Sequence, residues 1–114
     1  MKLVIVESPC AGEWERNRNY ANRALRDCID RGEAPIASHV LLAFSGALDD
    51  ANPERRAAGM AAGFAWTERA DLVAVYVDWG VSSGMQAGID VALALGLSVE
   101  HRRLGRAVSS AVVD

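Results

Sequence analysis

Residues 71–96, DLVAVYVDWGVSSGMQAGIDVALALG, decide the fold. Leu72 to Val77 form an unbroken apolar run rich in valine, closed by Asp71 and Asp78. A run without alternation suits a strand covered on both faces, as in a parallel sheet. Residues 79–84 are too polar and glycine-rich to extend it. From Met85 the spacing turns helical, with Met85, Ile89, Ala92 and Leu93 on one stripe and Gly96 at the expected stop. This strand–turn–helix unit puts Ser82, Ser83 and the Gly84 amide at a helix amino terminus. Free N–H groups and the helix dipole favour anions there. A serine cap explains the same residues, and a cap can also hold a ligand.

Outward from this unit, Asn52-Pro53-Glu54 opens a helix that runs to about Arg69. Asparagine caps it and proline takes the first helical position. Its apolar stripe reads as Ala57, Met60, Ala61, Phe64 and Ala65. At the start of the chain, residues 3–6 are a short strand and 7–12 a loop. A helix over 13–31 follows, with Tyr20, Ala21, Ala24, Leu25, Cys28 and Ile29 inside. Arg16, Asn19, Arg23, Arg26 and Asp30 take its solvated face, and Gly32 ends it. Residues 34–38 are a short strand candidate; 39–44 fit a strand end, a buried loop or a helical turn. A loop with Asp49 and Asp50 leads to the Asn52 cap. Residues 97–100 are a last strand.

Strands thus alternate with helices, which implies parallel pairing with right-handed crossovers. The expected architecture is α/β: a small doubly wound, flavodoxin- or Rossmann-like three-layer sandwich. Its sheet is mostly parallel, with four to five strands in the order 2-1-3-4. Residues 1–103 form one domain and 104–114 a tail. Ligands in such folds bind beyond the carboxyl ends of the strands, where the strand order reverses. That brings Glu7, Ser8 and Pro9 beside Asp78 and the 82–84 turn, with His39 nearby.

Composition sets further bounds. The chain has 114 residues, 51% hydrophobic and 24% charged, with a net charge of −3. This suits one small domain with a real core. No basic surplus supports binding to a nucleic-acid polymer. No segment reads as a leader or reaches membrane-spanning length. Cys10 and Cys28 lack metal-ligand spacing, and two lone thiols fit a reducing, cytoplasmic setting. Abundant arginine beside a single lysine, Lys2, reads as base-composition bias. Nothing calls for a cofactor or a metal ion; Asp49, Asp50 and Glu54 fit loop solubility and helix-start charge. The 85–95 helix is apolar on both faces, with Ala87, Val91 and Ala94 opposite the main stripe. A homodimer or higher homo-oligomer is therefore expected.

Three stretches together carry a resemblance: VIVESPCAGEWERNRNYA, LDDANPERRAAGMAAGFAW and the 71–96 unit. The chain resembles the nucleoside 2-deoxyribosyltransferase-like superfamily over residues 1–103. The likeness is to a small, uncharacterised, often phage-encoded branch with an S-x-G-M turn, related to 2′-deoxynucleoside 5′-phosphate N-hydrolases. The resemblance implies N-glycosidic chemistry on a small-molecule nucleoside or nucleotide. In the active families a glutamate on the helix after the turn attacks the anomeric carbon, and an acid protonates the departing base. In the monophosphate-hydrolysing relatives the Ser/Gly turn holds the phosphate, and a neighbouring subunit helps complete the site.

This sequence departs from that pattern. The position matching the helix glutamate is Gly88, and Asp90, about 200° further round the helix, points elsewhere. Cys10 replaces an aromatic, and Glu7 stands where the relatives have a small residue. Glu7 is therefore the candidate carboxylate, from the opposite wall of the pocket; an ordinary cap or an arginine partner is the other reading. His39 is a candidate for base protonation or a satisfied structural histidine. Asp78 binds a ribose hydroxyl or caps the next helix. Tyr20 is core, its hydroxyl within reach of the pocket. Arg16 meets a phosphate or lies on a solvated face. The candidate nucleotide-binding set is Ser8, Pro9, Arg16, Tyr20, Asp78, Ser82, Ser83, Gly84 and Met85. The expected function is deoxyribosyl transfer or 2′-deoxynucleoside 5′-monophosphate N-glycosidase activity. The alternative is an inactive nucleotide-binding protein on the same scaffold, which Gly88 favours.

Overall fold

The computed structural model describes residues 1–48 and 51–105. Asp49, Asp50 and most of the expected tail lie outside the described residues. The elements are β1 (Leu3–Glu7), α1 (Trp14–Asp30), β2 (Ala34–Ile36), α2 (Pro53–Thr67), β3 (Leu72–Tyr76), α3 (Ser83–Ala94) and β4 (Ser98–Arg102). Between β2 and α2, Val40–Phe44 makes one wide helical turn. The four strands are all parallel, in the order β2-β1-β3-β4. This is the doubly wound α/β sandwich that the alternation of strands and helices predicts.

Alternation along the two central strands builds the two halves of the core. Val4, Val6, Ala74 and Tyr76 face α1 and meet Tyr20, Ala24 and Cys28. Ile5, Val73 and Val75 face the other way, onto Met85, Ile89 and Ala92 of α3. Every residue of β3 is buried, which explains its unbroken apolar run. Asp71, just before β3, accepts the Leu3 amide at 2.7 Å and so fixes the neighbouring strand start. Gly32 and Gly96, just beyond α1 and α3, have φ of +80° and +76°, a conformation that L side chains disfavour.

The caps match the sequence. Asn52 Oδ1 accepts from the Glu54 and Arg55 amides at 3.0 and 3.2 Å, with Pro53 opening α2. Ser82 Oγ accepts from the Met85 amide at 3.2 Å, so of the two serines Ser82 is the cap.

Three expected inner faces need correction. Ala57, Ala61 and Ala65 of α2 are exposed. The helix is rolled so that Gly59, Met60, Gly63, Phe64 and Thr67 face inward. Glycine allows this: a Cβ on Gly63 would lie 2.7 Å from Ser38 Oγ. On α1, Ile29 is 61% exposed, because the buried stripe runs through Asn17, Tyr20, Ala21, Ala24 and Cys28. On α3, Leu93 is 60% exposed while Gly88 takes an inward position. Among the described residues no helix is long and apolar enough to cross a membrane.

Candidate functional site

A cavity of about 150 Å³ opens where β1 ends. Its walls include Glu7 and Ser8 leaving β1, Cys10 and Ala11 in the loop that follows, His39 after β2, Leu42 in the wide helical turn, the inner face of α2, and residues 82–85 at the start of α3. Its lining combines apolar side chains, Leu42, Met60 and Phe64 among them, with the polar Glu7, Ser8, His39, Ser82 and Ser83. Arg56 on α2 is the one cation among the described lining residues. The location is the switch point of the sheet, where β1 is flanked by β2 and β3.

Glu7 reaches across to α3. A methyl group placed on Gly88 would lie 2.6 Å from the Glu7 carboxyl carbon and 3.0 Å from one of its oxygens. The carboxyl group therefore sits against the bare backbone of α3, in space that a side chain there would claim. Burial in this crevice pushes the Glu7 pKa up to about 8, because water no longer solvates the carboxylate. At neutral pH Glu7 is mainly the neutral acid, a proton donor.

Ser8 Oγ and His39 Nε2 are 2.7 Å apart. The histidine ring meets Phe44 edge-on at 5.7 Å, and Phe44 meets Trp14 at 6.0 Å, so aromatic contacts fix its plane. Burial lowers the His39 pKa to about 4, which keeps the imidazole neutral. With the ring proton on Nδ1, Nε2 accepts from the Ser8 hydroxyl; with it on Nε2, the ring donates to Ser8 instead.

The structure brings Glu7, Ser8, His39, Ser82, Ser83, Gly84 and Met85 together around one cavity. It keeps four expected residues out of the lining. Pro9 is buried within the loop after β1. Arg16 stacks on Trp79, with its guanidinium 4.4 Å from the ring centre. Tyr20 donates its hydroxyl proton to Asp78 at 2.6 Å and accepts the Asp78 amide at 2.8 Å. Asp78 also accepts from the Leu104 amide at 2.9 Å and the Gly105 amide at 3.0 Å. Burial alone would raise its pKa, but these hydrogen bonds outweigh burial and hold it below the usual range. Asp78 thus ties down the chain after β4; it caps neither α3 nor a ligand in this cavity.

Other lining residues had little signal in the sequence. Arg56 lies off the apolar stripe expected for its helix, and Ser38 lies at the end of the 34–38 strand candidate. Asn17 does not line the cavity but shapes it, donating from its buried amide to the Ala11 and Cys10 carbonyls at 2.9 and 3.3 Å. Cys10 and Ala11 both form part of the wall. Among the described residues no group of three or more His, Cys, Asp or Glu side chains could hold a metal ion.

No curated protein matches the chain. One family does match, described as a domain of unknown function, DUF7768, over residues 2–102. That span covers all four strands and all three helices. The chain therefore belongs to the DUF7768 family.

Proposed function

We propose that this protein breaks the N-glycosidic bond of a nucleoside or its 5′-monophosphate, with Glu7 as the acid that protonates the departing base. The observation that carries the reading is the half-buried Glu7 carboxyl group, which lines the cavity and sits against the bare backbone of Gly88; its raised pKa fits a proton donor. A purine or pyrimidine leaves a sugar poorly as an anion, and a proton delivered to its ring nitrogen removes that barrier. A carboxylic acid held neutral by its surroundings is the usual solution to such a step at neutral pH.

The resemblance to deoxyribosyltransferases supports the same chemistry with one change. There a carboxylate on the helix attacks the sugar. Here Gly88 leaves that position bare, and Glu7 supplies a carboxyl group in the adjoining space. A protonated carboxyl is a poor nucleophile, so Glu7 takes the acid's part and the sugar is attacked by water or a second base. Leu42, Met60 and Phe64 offer the base an apolar wall. The amino terminus of α3 and Arg56 suit an anionic group on the sugar. A second copy of the chain belongs to the proposal, because Leu93, Leu95 and Trp66 are large exposed apolar side chains. Sedimentation equilibrium checks that part, and a monomer at all concentrations would remove it.

The test is base release. Purified protein is incubated with deoxynucleosides, ribonucleosides and their 5′-monophosphates, with and without a second free base, and products are separated by liquid chromatography. Free base or an exchanged nucleoside from any of them supports the reading. Binding without release at high protein concentration would favour a nucleotide-binding protein on the same scaffold.

A further inference from the structure

We propose that Ser8 and His39 form the proton acceptor for the attacking water, so that the bond is broken in a single displacement with inversion at the sugar carbon. The inference rests on the reading of Glu7 as the acid and adds the group that completes the reaction. Three observations carry it. The Ser8 hydroxyl and His39 Nε2 are within hydrogen-bond distance at 2.7 Å, and both residues line the cavity. His39 is held in place by the edge of Phe44 rather than left to rotate in solvent. Glu7 and Ser8 are consecutive at the end of an extended strand, so their side chains leave it on opposite sides. Glu7 goes to Gly88 on α3, and Ser8 goes to His39 beyond β2. An acid and a base approaching one cavity from two sides is what a direct displacement needs: one acts on the leaving group, the other on the incoming water.

The proton inventory closes. The C1′–N bond breaks and its electron pair goes to the base nitrogen, which takes the proton of the Glu7 carboxyl group. Water oxygen bonds to C1′ and gives a proton to Ser8 Oγ, while the Ser8 hydroxyl proton passes to His39 Nε2. For this, Nδ1 carries the proton of the resting imidazole. The products are free base and free sugar, or sugar phosphate. The Glu7 carboxylate and the His39 imidazolium return to their starting states by proton exchange with solvent. Ser8 touches the water, and His39 acts behind it.

The experiment compares the wild type, Ser8→Ala and His39→Gln in base release and in reaction with azide, an anionic nucleophile that needs no proton removed. For both variants, hydrolysis is expected to fall at least about 100-fold in kcat with KM within about threefold. Azide is expected to restore base release in both, giving the glycosyl azide of inverted configuration. A merely structural role for Ser8 or His39 would lose both reactions together. That result, or hydrolysis within about threefold of wild type in both variants, or a glycosyl azide of retained configuration, would overturn the proposal. Ser8→Ala removes one oxygen, so it keeps the test open if the histidine variant folds poorly. Failure of the wild type to release base from any substrate would instead overturn the reading of Glu7, and this inference with it.

Discussion

The Glu7 carboxyl group occupies the space beside Gly88 that a side chain on α3 would fill. Two positions far apart in the chain share one volume, and only one of them can carry a side chain there. Gly88→Ala is therefore expected to push Glu7 out of place. Base release should fall by about two orders of magnitude in kcat while the fold is retained, since Ala itself favours a helix. In a Glu7→Ala background the same substitution should be harmless, adding up to about 1 kcal/mol of helix propensity. Urea unfolding and kcat, measured on all four members of the cycle, check the coupling.

If Glu7 protonates the leaving base, its loss matters only when the leaving group needs a proton. Glu7→Gln is expected to lower base release from natural nucleosides by roughly 10²–10⁴-fold. With a 4-nitrophenyl deoxyriboside, whose leaving group departs as a stable anion, the variant should remain within about tenfold of wild type. Parallel loss on both substrates would point to a positioning role.

The raised pKa of Glu7 also sets a pH dependence of stability. The folded protein holds this proton up to about pH 8, whereas the ordinary value is 4.5. Between those values the native state binds more protons than the unfolded chain, so stability falls as pH rises. His39 acts in the opposite sense between about 4 and 6.5, where stability rises with pH. The window between pH 6.5 and 8 is therefore left to Glu7. Glu7→Gln should flatten that window and be more stable than wild type at pH 9, on the order of a few kcal/mol. Urea unfolding at pH 6, 7, 8 and 9 reads the difference.

A second buried network lies away from the cavity. Arg102 is 5% exposed and grips both Glu33 oxygens, at 2.8 and 2.7 Å. Its Nε donates to Glu100 at 2.9 Å, and Nη1 lies 3.3 Å from the Tyr76 hydroxyl. The Glu33 contact holds the Arg102 pKa above its usual range and the Glu33 pKa below its own. Glu33→Ala leaves a buried guanidinium short of its main partner and is expected to cost about 3–5 kcal/mol in urea unfolding. None of these residues lines the cavity, so base release by the folded fraction should be unchanged.

Much of the architecture was legible in the sequence because the signals were local. The run from Leu72 to Val77 predicts a doubly covered strand, Asn52-Pro53 predicts a capped helix start, and alternation of elements predicts the parallel order. What was illegible depends on partners distant in sequence. The inner face of α2 could not be read, since alanines lie all round it and two glycines decide which side packs inward, Gly63 against Ser38 and Gly59 against Leu48. Asp78 sits at a strand end, as a ligand-binding carboxylate would, yet its acceptors are used by Tyr20 and by the chain beyond β4. Glu7 was recognisable as a strand-end acid next to a departure at Gly88. That the two fit against each other is a fact of the fold.

The most direct measurement is the titration of Glu7 itself. Carboxyl-labelled protein, followed by carbon NMR against Glu7→Gln for assignment, gives the pKa of this one group in the empty cavity. A transition near pH 8 is expected. A transition near the ordinary 4.5 would mean that Glu7 is a charged, solvated carboxylate at neutral pH, and the proposed proton donor would not exist.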